Sequence, residues 1–409
     1  MPMICGSVSN AHLRLKTMYN EGGASEMADT LFDFDTAVDR ADTGSEKWNK
    51  YKGRDIIPLW VADMDFRSPP ALIKALHERV EHGVFGYTYP EQDLIDIVQS
   101  ALIRDYDWAI DPEWLVWLPG LVCGLNVLCR AIGKAGDDVL TFTPVYPPFM
   151  SAPVLTGRAV TKVPLALRDG RWIPDFVALE AAITPRTGLL LLCNPHNPVG
   201  RAWNREELLQ FYDIAKRHNL VIGSDDIHSE LILDKNLRHI PIATLAPEIA
   251  DRTITLLAPS KTYNIPGLGC SFAVISNSTL RNRFKKAMGR LVPHLNLFAY
   301  TAAESVYRDG EPWRAALLDY LRDNRDLVER EIAAMPGLKI THVEATYLAW
   351  IDARDTGIEN PGRFFEDAGV GLSDGADFAA PGFVRLNFGC NRSLLVEALR
   401  RMRGALHTR

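Results

Sequence analysis

Between about residue 114 and residue 275 the chain repeats one pattern: a short apolar run, a polar or glycine–proline step, then a stretch with helical spacing. Leu115-Val116-Trp117-Leu118 runs into Pro119-Gly120 and then into apolar helical positions through Leu125 and Leu128. Val139-Leu140-Thr141-Phe142 leads to Thr143-Pro144-Val145-Tyr146. Leu189-Leu190-Leu191-Leu192-Cys193 leads to Asn194-Pro195-His196-Asn197-Pro198-Val199-Gly200. Leu220-Val221-Ile222-Gly223 leads to Ser224-Asp225-Asp226-Ile227-His228, and Thr253-Ile254-Thr255-Leu256-Leu257 to Ala258-Pro259-Ser260-Lys261. Asn204, with Glu207 three residues on, marks a capped helix start. Near-continuous apolar strands alternating with helices predict an α/β fold, a mostly parallel sheet covered by helices on both faces. The polar strand exits then gather at one edge of that sheet, where open α/β sheets bind ligands.

Outside this block the texture changes. Residues 1 to about 30 are polar, contain glycine and show no period, which predicts a loosely held arm. Residues 32–66 are rich in loop formers around an apolar piece, Ile56-Ile57-Pro58-Leu59-Trp60-Val61. Ser68-Pro69-Pro70 predicts a helix start with Ser68 as cap, and Leu72, Leu76 and Val80 give that helix one apolar face. Beyond about residue 300 the pattern is long-helical, with a strand at Tyr347-Leu348-Ala349-Trp350-Ile351 and a half-buried alternating strand at Val384-Arg385-Leu386-Asn387-Phe388. A closing helix from about Ser393 presents Leu394, Leu395, Ala398, Leu399 and Met402. A smaller α+β domain is therefore expected. The expected division is 1–75 for the arm and part of the small domain, 76–300 for the large domain, and 301–409 for the C-terminal small domain.

Composition narrows the class without changing the fold. The 409 residues are 47% hydrophobic and 23% charged, ordinary for a soluble globular enzyme. A net charge of −6 argues against a general nucleic-acid binder. The five positive charges from Arg281 to Arg290 read as the solvated face of a helix. Cys5, Cys123, Cys129, Cys193, Cys270 and Cys390 are scattered, with no ligand-like spacing, as in a reduced cytosolic protein without a metal site. No basic-then-apolar leader and no membrane-length apolar run stand in the sequence, so a cytoplasmic protein is expected.

The strand exits carry groups that together suit one cofactor, pyridoxal phosphate. Lys261 can form a Schiff base with its aldehyde if burial and nearby positive charge lower the amine pKa. Asp225 can hold the ring nitrogen protonated, which makes the ring an electron sink; its bland alternative is a helix cap, and Asp226 and Glu230 compete for the role. Asn197 can bond the phenolic oxygen, or be only a turn residue before proline. Tyr146 can stack on the ring, or simply fill core. The Pro119-Gly120-Leu121-Val122 turn, opening a helix, can offer backbone N–H groups to the phosphate. Arg385 can take a substrate carboxylate as a two-pronged fork, or sit in a structural ion pair.

Taken together, these stretches resemble the fold type I pyridoxal-phosphate family. Asn-Pro-x-Asn-Pro-x-Gly at 194–200, Ser-Asp-Asp-Ile-His at 224–228, Ser-Lys-Thr-Tyr-Asn at 260–264 and Arg-Leu-Asn-Phe-Gly at 385–389 stand in the family's order and rough spacing. Asp33-Phe34-Asp35, Gly44-Ser45-Glu46-Lys47-Trp48, Trp60-Val61-Ala62-Asp63-Met64-Asp65-Phe66 and His82-Gly83-Val84-Phe85-Gly86-Tyr87 narrow it further. They resemble the cystathionine β-lyase branch that includes the bacterial maltose-regulon modulator. Position by position, the resemblance implies Lys261 as the Schiff-base lysine, Asp225 as the pyridinium partner, Asn197 as the phenolate partner and Tyr146 as the stacking ring. It implies Arg385, with Asn197, as the carboxylate binder, Ser260 and the Gly120-Leu121-Val122 turn as phosphate contacts, and residues 76–300 as the cofactor-binding domain. Tyr87 matches a tyrosine that reaches the neighbouring subunit's cofactor phosphate and substrate, which implies a homodimer with shared sites.

Two departures from the mainstream aminotransferases matter. Many of them carry a phosphate-binding arginine eight residues after the lysine, where this chain has Gly269, so Ser260, Tyr87 and the backbone turn must hold the dianion. Where many have tyrosine three residues after the aspartate, this chain has His228, a cofactor-lining position of open role. The resemblance implies α,β-elimination with Lys261 as general base, releasing pyruvate, ammonia and a thiol from cystathionine or another cysteine S-conjugate. The first alternative is an aminotransferase, which uses the same residues. A regulatory protein that binds a transcription factor is the alternative from another class, although no docking patch is marked in the chain.

Overall fold

Seven strands build the central sheet in a computed structural model that describes residues 32–408; the arm expected over residues 1–30 lies outside them. In chain order they are β1 (Leu115–Leu118), β2 (Asp138–Thr143), β3 (Ala159–Pro164), β4 (Thr187–Cys193), β5 (Val221–Asp225), β6 (Thr253–Leu257) and β7 (Ser271–Val274). Their order across the sheet is β1-β7-β6-β5-β4-β2-β3, and only β7 runs against its two neighbours. The register sets Cys193 beside Asp225 and Asp225 beside Leu256, so the polar exits of β4, β5 and β6 stand side by side.

Both faces of the sheet are covered, and β4 shows how the leucine run achieves this. Leu189, Leu191 and Cys193 enter one core with Leu125, Leu128 and Phe149. Leu190 and Leu192 enter the other core with Phe211, Trp203 and Ile222. Helix Leu121–Ala131 lies so close to β5 that a Cβ on Gly223 would fall 2.2 Å from Leu128 Cδ2. The Asn204–Glu207 pair forms the expected capping box at the start of helix Arg205–Arg217.

A second, antiparallel sheet comprises β8 (Lys339–Ile340), β9 (Leu348–Asp352), β10 (Ser373–Asp374) and β11 (Phe383–Asn387), in the order β8-β9-β11-β10. Ile57 and Pro58 pair in parallel with Val370 and Gly371, which ties the segment before the large sheet to the C-terminal third. From Phe34 onward the contacts form one continuous unit.

Four local expectations need correction. Ser68 does not cap a helix: the N-cap of Pro70–Glu81 is Pro69, and the Ser68 hydroxyl donates instead to Asn264 O at 3.1 Å. On that helix Leu72 is buried, but Val80 is 52% exposed. Arg281 is not solvated; it is buried and donates to Ile275 O, Ser276 O and Glu113. The β11 segment is buried throughout, because Arg385 turns into the cavity described below and Asn387 onto the carbonyls of Val61 and Asp63, neither toward solvent.

Candidate active site

Strands β1, β2, β4, β5 and β6 all end at one edge of the large sheet, and β11 closes over that edge from the small sheet. Between them lies a cavity of about 230 Å³. Gly120, Leu121, Val122, Tyr146, Asn197, Asp225, His228, Ser260, Lys261 and Arg385 all line it. Tyr87 does not: it stands fully exposed on the loop after helix Pro70–Glu81, beside Phe85, Tyr89, Leu295 and Phe298.

Lys261, half-buried on the loop after β6, donates from Nζ to the Ala62 carbonyl at 2.6 Å. Burial lowers its pKa to about 8; Asp63 and Asp225 oppose this and Arg385 adds to it. At the end of β5, buried Asp225 accepts the Ile227 N–H at 3.2 Å. Burial raises its pKa to about 7, helped by neighbouring Asp226. The competing acids are engaged elsewhere. Asp226 bonds His239 at 2.7 Å and takes the Ser224 hydroxyl, while Glu230 pairs with Arg314 at 3.0 Å.

Arg385 is 4% exposed, and its hydrogen-bond partners among the described residues are all uncharged. Nη1 donates to Asn197 Oδ1 at 3.0 Å, and Nη2 to Trp60 O at 2.9 Å and Ser373 Oγ at 3.3 Å. Its Nε has no partner among the described residues, and its guanidinium lies 4.7 Å from the Phe378 ring centre. A buried guanidinium held open in this way has the chemistry to accept a carboxylate, since omitting the counter-charge of a buried ion is costly. His228 is buried, and its Nδ1 has no partner among the described residues; burial, Lys261 and Arg385 push its pKa down to about 3, which favours the neutral imidazole.

The residues present suit pyridoxal phosphate. Asp225 is a buried acid that has no ion-pair partner among the described residues and would gain one from a ring N–H. Helix Leu121–Ala131 begins at Gly120 with no side-chain cap, leaving its first N–H groups for an anion next to Ser260. At Gly269 an arginine would be strained: φ is +65° and a Cβ would sit 3.0 Å from Pro119 O.

Several neighbours carry no functional expectation in the sequence. Ala62 and Trp60 act through backbone carbonyls. Tyr347 donates its hydroxyl to Ala62 O at 3.2 Å, and Asn387 donates to Val61 O and Asp63 O. Cys193 lines the cavity and receives the Asn197 N–H at 3.4 Å. The only signal for Trp60, Ala62 and Asn387 is that they fall within the quoted motifs.

The profile of the family "Aminotransferase class I and II" matches residues 54–402. The cystathionine beta-lyase PatB of Bacillus subtilis is 38% identical over 385 residues, 91% of this chain and 99% of that protein. Among solved structures, OvoB superposes with a TM-score of 0.91 at 46% identity, covering 92% of this chain and 100% of that one. Cystalysin from Treponema denticola, a structure that contains pyridoxal 5'-phosphate, gives 0.88 at 32% identity, covering 92% and 99%.

Proposed function

The chain belongs to the class I and II aminotransferase family, and from that premise we propose that it is a pyridoxal-phosphate-dependent C–S lyase. It splits cystathionine or a related cysteine S-conjugate by α,β-elimination to pyruvate, ammonia and a thiol. The likeness over nearly full length to the Bacillus subtilis cystathionine beta-lyase favours elimination over transamination. The observation that carries the site is a single cavity where the Lys261 amine, the Asp225 carboxyl and the Arg385 guanidinium meet, each without an ion-pair partner among the described residues.

When bound, pyridoxal phosphate supplies an aldehyde for amine exchange and a protonated ring that draws electrons from the substrate α-carbon. In this reading Asp225 keeps the proton at the ring nitrogen, Tyr146 forms a flat wall, and Asn197 reaches the phenolic oxygen. The N–H groups of the Gly120-Leu121-Val122 turn, with Ser260, hold the phosphate. Arg385 and Asn197 fix the α-carboxylate. Lys261 Nζ, lowered to about 8, is neutral often enough near physiological pH to take the proton from the α-carbon. Burial of the loops around it keeps water from competing for that proton.

The proposed molecule is a cytoplasmic homodimer in which Tyr87 of each chain serves the other chain's site, consistent with its exposure and distance from its own cavity. No helix among the described residues is long and apolar enough to cross a membrane. Residues 76–300 act as the cofactor-binding domain; 301–409 and part of 1–75 form the smaller one, in keeping with the pairing of Ile57-Pro58 with Val370-Gly371.

The test is direct. Purified protein given cystathionine without any keto acid releases pyruvate and free thiol, and Lys261→Ala loses both this activity and the visible absorbance of the holoenzyme. Conversion of the cofactor to its amine form in step with substrate, with no pyruvate, would instead make the protein an aminotransferase.

A further inference from the structure

Residues 60–63 meet the site through their backbone. The Asp63 N–H donates to Val61 O at 2.9 Å, closing a tight three-residue turn with Ala62 at its apex. Asn387, with no exposed surface, donates from Nδ2 to Val61 O at 2.6 Å and to Asp63 O at 2.9 Å. Its Oδ1 accepts the Gly389 N–H at 2.7 Å, so the amide is locked while it staples both shoulders of the turn. The apex carbonyl, Ala62 O, then receives two donors: Lys261 Nζ at 2.6 Å and the buried Tyr347 hydroxyl at 3.2 Å.

We propose that the Ala62 carbonyl is the acceptor that holds the Lys261 amine in working position, that Asn387 is the positioning residue that builds it, and that Tyr347 tunes it by sharing the same oxygen. The inference rests on Lys261 being the group that moves the substrate proton. A carbonyl only accepts, so it bonds the ammonium form of Lys261 more strongly than the neutral amine. Ala62 O thus raises the amine's proton affinity against the lowering that burial imposes, and gives the ammonium a place once it has taken the α-proton. Tyr347 competes for the same oxygen and weakens it as an acceptor. Other groups facing the amine are Asp63 and Asp225, which favour the ammonium, and Arg385, which opposes it. His228 faces it as a neutral ring. Asp63 is itself fixed by Arg40 at 2.9 Å.

The test begins with cofactor-free, full-length protein, in which the rate of visible-absorbance development on adding pyridoxal 5'-phosphate follows the neutral fraction of Lys261. The parent's rate is expected to be half-maximal near pH 8, the value to which the amine is lowered. In Asn387→Ala the half-maximal pH falls by about one unit. In the loaded enzyme of that variant, kcat falls about tenfold or more while KM stays within about threefold. Tyr347→Phe leaves the oxygen to Lys261 alone, and the half-maximal pH rises by about half a unit. Parental midpoints in both variants, at parental melting temperatures, overturn the proposal. Should Asn387→Ala fail to fold, Tyr347→Phe decides alone, and a midpoint at or below the parent's overturns it. This readout depends on the proton affinity of Lys261 and not on the product formed, so it stands apart from the pyruvate assay that tests the lyase reading.

Discussion

At the scale of single residues, Asp225 shows how a functional site trades stability for chemistry. Burial disfavours the charged form and pushes its carboxyl from the ordinary 3.8 up to about 7 in the folded chain. A folded-state pKa raised above the unfolded value means that the folded protein holds the proton more tightly. The stability this gives is full below about pH 4 and is lost as pH rises through 7. Above pH 7 the cofactor-free protein therefore carries a buried carboxylate without an ion-pair partner among the described residues, at a cost on the order of 4 kcal/mol. Asp225→Asn keeps the shape and the Ile227 N–H bond but cannot ionise. Without cofactor, its thermal midpoint should exceed the parent's by a few degrees at pH 8 and match it near pH 4. The same variant should bind cofactor more weakly and lose most activity, since an amide is a poor partner for a pyridinium. An equal gain at both pH values would show that the stabilisation has nothing to do with ionisation.

At the scale of elements, the helix after Gly200 separates structural from chemical roles. Asn204 accepts the Glu207 N–H at 2.8 Å while the Glu207 carboxylate bonds back to the Asn204 N–H at 2.9 Å. Asn204→Ala should cost about 1 kcal/mol in denaturant unfolding and leave kcat and KM within twofold, because nothing in the cap touches the cavity. This cap was legible in the sequence, as were the strand exits, because apolar runs ending in polar steps are a one-dimensional record of a parallel sheet. The wall formed by residues 60–63 was not legible in the same way. It acts through carbonyl oxygens, which every residue type carries, so only the stapling amide of Asn387 leaves a mark, and that mark lies over 300 residues away. The alternation in Val384 to Phe388 misled for a related reason. A polar side chain facing a buried cavity and one facing water give the same sequence pattern, and only the position of Trp60, Val61 and Asp63 distinguishes them. Ser68 carried a cap signature, yet its hydroxyl is claimed by Asn264, a tertiary contact that local rules do not contain.

At the scale of the whole molecule, the exposed aromatic loop is the feature that a lone chain does not account for. Phe85 is 57% exposed, Tyr89 69%, and Tyr87 is entirely open, so this loop concentrates apolar area that a second copy would cover. If Tyr87 of one chain completes the site of the other, two inactive variants must rescue each other. Take Lys261→Ala and Tyr87→Ala, unfolded together and refolded as a mixture. Random pairing makes half the dimers mixed. In each mixed dimer one site carries both defects, while the other has an intact Lys261 and an intact Tyr87. About one quarter of the parental lyase rate should therefore return. A rate no higher than the summed rates of the two variants refolded separately would mean that Tyr87 serves no site but its own chain's surface, and the shared-site dimer would have to be abandoned.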